Sequence, residues 1–127
     1  MPESDNPCLF CHLTDRIVLE NPFWVMIEDA FPVDLGHSLI ITRRHVPSFR
    51  EITLEEFQAL HQMIQVVTGY LDQAHQPAGY NFGVNDGEAA GQTIFHVHFH
   101  VIPRFNGDCP DPRGGIRKLK KPLVTYF

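Results

Sequence analysis

Three histidines alternate in the run Ile94-Phe95-His96-Val97-His98-Phe99-His100-Val101-Ile102. A β-strand turns successive side chains to opposite faces. His96, His98 and His100 are therefore expected on one face, with Val97, Phe99 and Val101 buried on the other. Near neutral pH an imidazole serves as nucleophile, proton carrier or metal ligand. Eight histidines in 127 residues would produce this alternation by chance in about a few per cent of chains, so the pattern points to a site without naming its chemistry. Neighbours on the shared face stand about 6–7 Å apart, near enough to adjoin and far enough to serve two centres.

Two further segments bear on that chemistry. Asn85-Asp86-Gly87-Glu88-Ala89-Ala90-Gly91-Gln92-Thr93 runs directly into the histidines. Gly87 and Gly91 allow backbone conformations and close approaches that a Cβ would block. Gln92 and Thr93 then bring an amide and a hydroxyl beside the imidazoles, a set of donors suited to cradling one phosphate. A plain hairpin loop is the competing reading, and adjacency to the histidines favours function. Near the N-terminus, Cys8-Leu9-Phe10-Cys11 offers two thiolates at zinc-knuckle spacing. A tetrahedral structural zinc needs two more ligands. Two free cysteines or a redox pair are the other readings, and no βαβ context supports the redox pair. Cys109, in the tail, is assigned no role.

The elements that must position these residues follow from local pattern. Ile17–Glu20 and Phe23–Glu28 read as two short strands joined at Asn21-Pro22, and His37–Thr42 as a third ending at Arg43-Arg44-His45. Thr53-Leu54-Glu55-Glu56 has the form of a capping box. Leu54, Phe57, Leu60, Ile64, Val67 and Leu71 continue at helical spacing to about His75. Tyr80–Asn85 and residues 95–102 supply a fourth and a fifth strand. The expected architecture is α+β: about five mostly antiparallel strands with one long helix on a face. From Pro103 onward the density of Pro and Gly implies an extended C-terminal tail. His37, beside Gly36 on the apolar third strand, reads as a hydrogen-bonded structural histidine.

Bulk properties narrow the class. The length suits a single domain over 1–127, with a core of about 8–105 and a tail of 106–127, able to bury roughly two-thirds of its unfolded surface. No apolar run reaches membrane-spanning length, and no basic region followed by an apolar stretch marks a secretory signal, so the expectation is a cytoplasmic protein with no membrane partner. The net charge of −5 argues against nucleic acid as a partner. Six of the ten basic residues, Arg104, Arg113, Arg117, Lys118, Lys120 and Lys121, follow the histidines. That cluster suits either an anionic ligand or a solvated tail.

Gly91-Gln92-Thr93-Ile94-Phe95-His96-Val97-His98-Phe99-His100-Val101-Ile102 resembles the signature of the histidine-triad (HIT) family. Asp29-Ala30-Phe31-Pro32, Gly36-His37, Arg43-Arg44-His45 and Asn85-Asp86-Gly87 match the family in order and spacing, so the resemblance covers most of residues 8–105. The family comprises nucleotide hydrolases and transferases, and it implies a HIT-like fold and a homodimer. By resemblance, His98 attacks the α-phosphate of a purine nucleotide substrate and forms a covalent nucleotidyl–imidazole intermediate. His100, Gln92 and Thr93 contact the same phosphate, with Gly91 and Asn85 in the loop around it. Asp29 corresponds to the ribose-binding acid, and Phe10, Leu13 and Ile27 to the apolar side chains around the base, Ile27 reading almost equally as core. Members with an N-terminal CxxC imply a structural Zn2+ held by Cys8, Cys11, His45 and His96, with no organic cofactor. The substrate implied by the resemblance is a dinucleoside polyphosphate or a nucleoside phosphoramidate. The segment Asn106–Arg117 resembles tails of the dinucleoside-polyphosphate group, with Arg113 and Arg117 placed to meet distal phosphates of their own or a partner subunit. The alternative is a non-catalytic nucleotide- or metal-binding module whose three imidazoles clasp one ion.

Overall fold

Residues 7–122 are described by a computed structural model of the chain. Its five strands are β1 (Leu19–Glu20), β2 (Trp24–Glu28), β3 (Ser38–Thr42), β4 (Gly79–Gly83) and β5 (His98–Arg104). They form one sheet in the order β1-β2-β3-β5-β4, with every neighbouring pair antiparallel. One helix, α1 (Leu54–His75), crosses one face. This is the expected α+β architecture.

Helix α1 starts where the sequence places it. The Thr53 hydroxyl accepts from the Glu56 amide, and the Glu56 carboxylate accepts from the Thr53 amide, so two otherwise orphaned donors are satisfied. The helix ends at Gln76, which is left-handed at φ 55° and precedes Pro77. The buried stripe differs from the expected one. Ala59, Leu60, Met63, Val67 and Leu71 face the sheet, while Leu54 and Phe57 point to solvent. The first turn is rotated because Glu56, not Phe57, turns inward, where Arg44 meets its carboxylate at 2.9 Å.

The pairing register divides the sheet into two faces. Trp24, Met26, Ile40 and Val101 pack under α1, with Val46 and Val97 completing that core. Val25, Ile27, Leu39 and Ile41 face the other way and are covered by the N-terminal segment through Phe10, Leu13 and Ile17. Across this second face Ile41 is paired with His98 and Leu39 with His100. Directly opposed residues share a face, so these two histidines stand on the side away from the helix.

The three histidines do not share one strand. β5 begins at His98, because Val97 leaves the ladder: its amide bonds Val46 and its carbonyl accepts from Thr42. Residues 94–96 bend away and carry His96 towards the N-terminal segment. The tail forms no strand or α-helix among the described residues, only a short 3-10 turn at Gly115–Lys118. It is tied back by Arg104, which donates to Asp108 and to Asn81.

Candidate functional site

Two groups of side chains meet along the start of β5. The first comprises Cys8, Cys11, His45 and His96. Cys8 Sγ lies 3.5 Å from His96 Nδ1, and Cys11 Sγ lies 3.3 Å from His45 Nδ1 and 3.6 Å from His96 Nδ1. The two Nδ1 atoms are 3.2 Å apart. Around a tetrahedral zinc, with its usual bond lengths, nitrogen–sulfur separations are about 3.6 Å and nitrogen–nitrogen separations about 3.3 Å. His96 Nε2–H donates to the Thr42 carbonyl at 2.7 Å, which leaves the Nδ1 lone pair facing the thiols. Burial holds its pKa below the usual value, so the ring is neutral, as ligation requires. These four residues thus form a group able to hold a metal ion.

The second group carries His98 and His100. His98 Nδ1–H donates to the His96 carbonyl at 2.8 Å, which settles the tautomer and leaves the lone pair on Nε2. The Phe10 ring stands edge-on to it at 5.0 Å between centres. The His100 ring lies 5.3 Å from the His98 ring. His37 Nδ1 accepts from the Val33 amide at 3.1 Å, so a neutral His37 carries its hydrogen on Nε2. That atom lies 3.0 Å from His100 Nδ1 and 3.3 Å from an Asp29 oxygen. His100 Nδ1 must then accept, and its own hydrogen sits on Nε2, a buried atom with no protein partner. Burial first, then the nearby His98 and His37, pushes the His100 pKa down to about 4. His37 is likewise lowered by burial, with Asp29 opposing. Both rings are neutral at pH 7.

His37 therefore does more than its sequence reading suggests: it is hydrogen-bonded and buried, and it also orients His100. Its signal in the sequence was weak, since a single histidine on an apolar strand is an ordinary core residue. Asp29 accepts from the Phe31 amide through one oxygen and faces His37 with the other.

Other expected residues are placed differently. Gln92 is a brace in this conformation. Its Oε1 accepts from the Gly87 amide at 2.8 Å, and its Nε2 donates to the Pro47 and Ile94 carbonyls. Those bonds hold the loop rather than a phosphate. Thr93 is exposed and lines a recess beside Cys8 and His45. Asn85 lines a separate pocket with His37 and His100. Gly91 is left-handed at φ 96°, a conformation that residues with a side chain rarely adopt. Asp86 anchors the loop by accepting from Ser48, from the Phe49 amide and from Arg50. Its type could not be told from that of any loop acid in the sequence.

Of the three residues expected around a base, Ile27 is wholly buried and Leu13 nearly so, which makes both of them core. Phe10 alone is partly buried. Arg113, expected to reach distal phosphates, pairs with Asp111 through two nitrogens. The three imidazoles do not converge on one point. His96 turns to the cysteines and His100 to His37, while His98 belongs to neither potential metal group. A single ion clasped by all three rings is therefore excluded in this arrangement.

Comparison with known proteins agrees with the geometry. An uncharacterised 16.1 kDa HIT-like protein of Mycoplasma pneumoniae is 36% identical over 107 residues, 80% of this chain and 74% of that protein. A bis(5'-adenosyl)-triphosphatase of Dictyostelium discoideum is 40% identical over 73 residues, covering 58% of this chain and 49% of that enzyme. A zinc-bound histidine triad family protein from Mycobacterium smegmatis superposes with a TM-score of 0.72 at 30% identity, covering 93% of this chain and 92% of that one. The HIT domain family model matches residues 12–107, a span that takes in all five strands, the helix and the alternating histidines, and the chain belongs to that family.

Proposed function

We propose that the protein is a nucleotidyl hydrolase or transferase acting at the α-phosphate of a purine nucleotide substrate, with His98 as nucleophile. One observation carries this reading: His98 donates through Nδ1 to the His96 carbonyl, so a neutral ring presents its Nε2 lone pair. In the first step Nε2 attacks phosphorus, a P–N bond forms, and the leaving group departs with the electrons of its bond to phosphorus. The Nδ1–H bond to the carbonyl steadies the positive charge that develops on the ring. Water then attacks phosphorus, the P–N bond breaks and His98 is regenerated. His100 Nε2–H, which lacks a protein acceptor, supplies a donor for a phosphoryl oxygen. Asp29 keeps lone pairs for ribose hydroxyls, Phe10 offers an aromatic face for the base, and Thr93, Gly91 and Asn85 complete the loop side.

The likeness to the Dictyostelium triphosphatase supports a dinucleoside polyphosphate as substrate over a phosphoramidate. Arg113 would have to exchange Asp111 for phosphate, and an exposed pair yields easily. Zinc is the metal proposed for Cys8, Cys11, His45 and His96, supported by the spacing of the donors and by the zinc-bound mycobacterial relative. With four protein ligands it would be structural, tying the N-terminal segment to the start of β5. A homodimer is supported by apolar side chains left exposed on α1 (Phe57, Val66, Tyr70) and by Phe82 on the edge strand β4.

Rapid-quench mass spectrometry after mixing with diadenosine triphosphate tests the nucleophile. An adenylyl adduct on the wild type that is lost in His98→Ala is expected. Nucleotide binding without any adduct or turnover would show a non-catalytic binding module instead. Turnover rates on diadenosine triphosphate and on adenosine phosphoramidate then rank the substrates.

A further inference from the structure

Beside His100 the sheet face that carries the histidines opens into a pocket of about 300 Å³, bordered by Val33, His37, Asn85, Ile102, Ile116 and Leu119. Such a volume lies at the lower end of the range for small-molecule sites. The register explains why it is there. Leu39, His100 and Gly83 stand opposite one another across β3, β5 and β4. Phe10, Leu13 and Ile17 cover the β2–β3 half of this row. The β5–β4 half carries His100 and then Gly83, where even an added Cβ would meet nothing within 4 Å. His100 therefore sits on the boundary between a half covered by the N-terminal segment and an open half.

The far wall of the open half comes from the tail, and its chemistry is specific. Ile116 and Leu119 are 60% and 86% exposed, although they belong to a segment that is otherwise polar and basic. Their turn is held in place. Gly114 and Gly115 both take positive φ, at 87° and 47°, and an ideal Cβ on Gly115 would come within 3.4 Å of the Asn81 amide on β4. Arg104 forks onto Asp108 while also donating to Asn81, and Lys118 donates to the Asp111 carbonyl. Exposed apolar side chains on an anchored turn, beside a catalytic group, mark a contact surface. The lining combines polar side chains (His37, His100, Asn85) with apolar ones (Val33, Ile102, Ile116, Leu119).

We propose that this pocket receives the departing half of the substrate, its phosphate end near Asn85 and His100 and its aromatic base against Ile116 and Leu119. The inference rests on the reading of His98 as nucleophile, and it makes the tail a determinant of substrate choice. A phosphoramidate whose leaving group is ammonia would not reach this wall, whereas a dinucleoside polyphosphate, which releases a second nucleotide, would.

The test compares the Ile116→Ser/Leu119→Ser double variant with the wild type on diadenosine triphosphate and adenosine phosphoramidate. The ratio of the two kcat/KM values should shift about tenfold against the dinucleotide, mainly through KM, a size typical of lost apolar pocket contacts. An Ile116→Leu/Leu119→Met variant, which keeps the apolar wall, should restore most of the ratio. An unchanged ratio in the serine variant overturns the proposal. So does a shift accompanied by dissociation of a dimer in sedimentation, which would assign the two side chains to a subunit contact. Failure of the broader reading looks different: the wild type itself forms no His98 adduct on either substrate.

Discussion

Removing the proposed zinc from Cys8, Cys11, His45 and His96 perturbs both the fold and the nucleophile, and its size can be worked from the structure. Zinc ligation contributes on the order of 10 kcal/mol in small domains. Here it would order residues 7–12, which contribute the two cysteines and little buried surface of their own. Fixing about six residues costs roughly 1–1.5 kcal/mol each. The net loss on chelation is therefore about 1–4 kcal/mol, which at ~3–5 °C per kcal/mol for a chain of this length lowers the melting temperature by about 3–20 °C. The rest of the sheet keeps its core, so unfolding should remain cooperative. The Phe10 ring would lose its place beside His98, so the His98 Nδ1–H resonance should shift or broaden when metal is removed. The assay is metal analysis of the protein as purified, with melting curves and histidine NMR before and after chelation, and Cys11→Ser as the matched variant. One equivalent of zinc and a lower melting temperature in both the chelated protein and the variant are expected. A metal-free protein whose melting temperature does not rise on adding zinc would refute the reasoning, and so would a Cys11→Ser variant that still holds a full equivalent.

Three other predictions concern groups the structure makes unusual. His100 titrates near 4 when folded and about 6.5 when unfolded, so the unfolded chain binds more protons between these values. Its contribution is complete above pH 6.5 and is lost as pH falls towards 4. Roughly 1.5 kcal/mol should disappear between pH 6.5 and 5, and His100→Gln should lose less over that interval in paired thermal melts. Glu56 is buried, caps α1 and meets Arg44 at 2.9 Å. Glu56→Ala leaves the cap open and removes the carboxylate from a half-exposed guanidinium that keeps the Glu51 carbonyl, and urea titration should show a loss of about 1–3 kcal/mol. Gln92→Ala removes the acceptor of the Gly87 amide and the donor to Pro47, so melting should fall by an amount equivalent to about 1–3 kcal/mol. A fall in kcat with unchanged melting would instead show that the amide turns to the phosphate during turnover.

Much of the architecture was legible because it is written in local pattern. The capping box at Thr53 and Glu56 predicts the start of α1 to the residue. Short continuous apolar runs bounded by turn residues placed β2 and β3 within about one residue, as suits strands buried on both faces. The strand ends near the site were less legible. β5 starts at His98 because the Val97 amide bonds Val46, leaving only its carbonyl to β3, a long-range choice with no trace in local spacing. Phe57 was expected inside at helical spacing, yet the pairing of Glu56 with Arg44 rotated the first turn outward. Ile27 and Leu13 suited either a base pocket or a core, and only their burial between the sheet and the N-terminal segment separates the two.

Residue types and spacing alone singled out His96, His98 and His100 as a candidate centre, the loop Asn85–Thr93 that leads into them, and Cys8 and Cys11 as a candidate ligand pair. These follow from the short-range geometry of a chain with fixed dihedral preferences. The tertiary structure decided how the three histidines divide. One backbone bend sends the His96 ring to the cysteines and its carbonyl to His98, while the His37 Nε2–H facing His100 Nδ1 fixes the tautomer of His100. In His96, His98 and His37 the ring hydrogen lies on the nitrogen that faces an acceptor, and His100, being one of those acceptors through Nδ1, carries its own on Nε2. Those acceptors, Thr42, the His96 carbonyl and His100 itself, are brought into reach by strand pairing and the bend before β5.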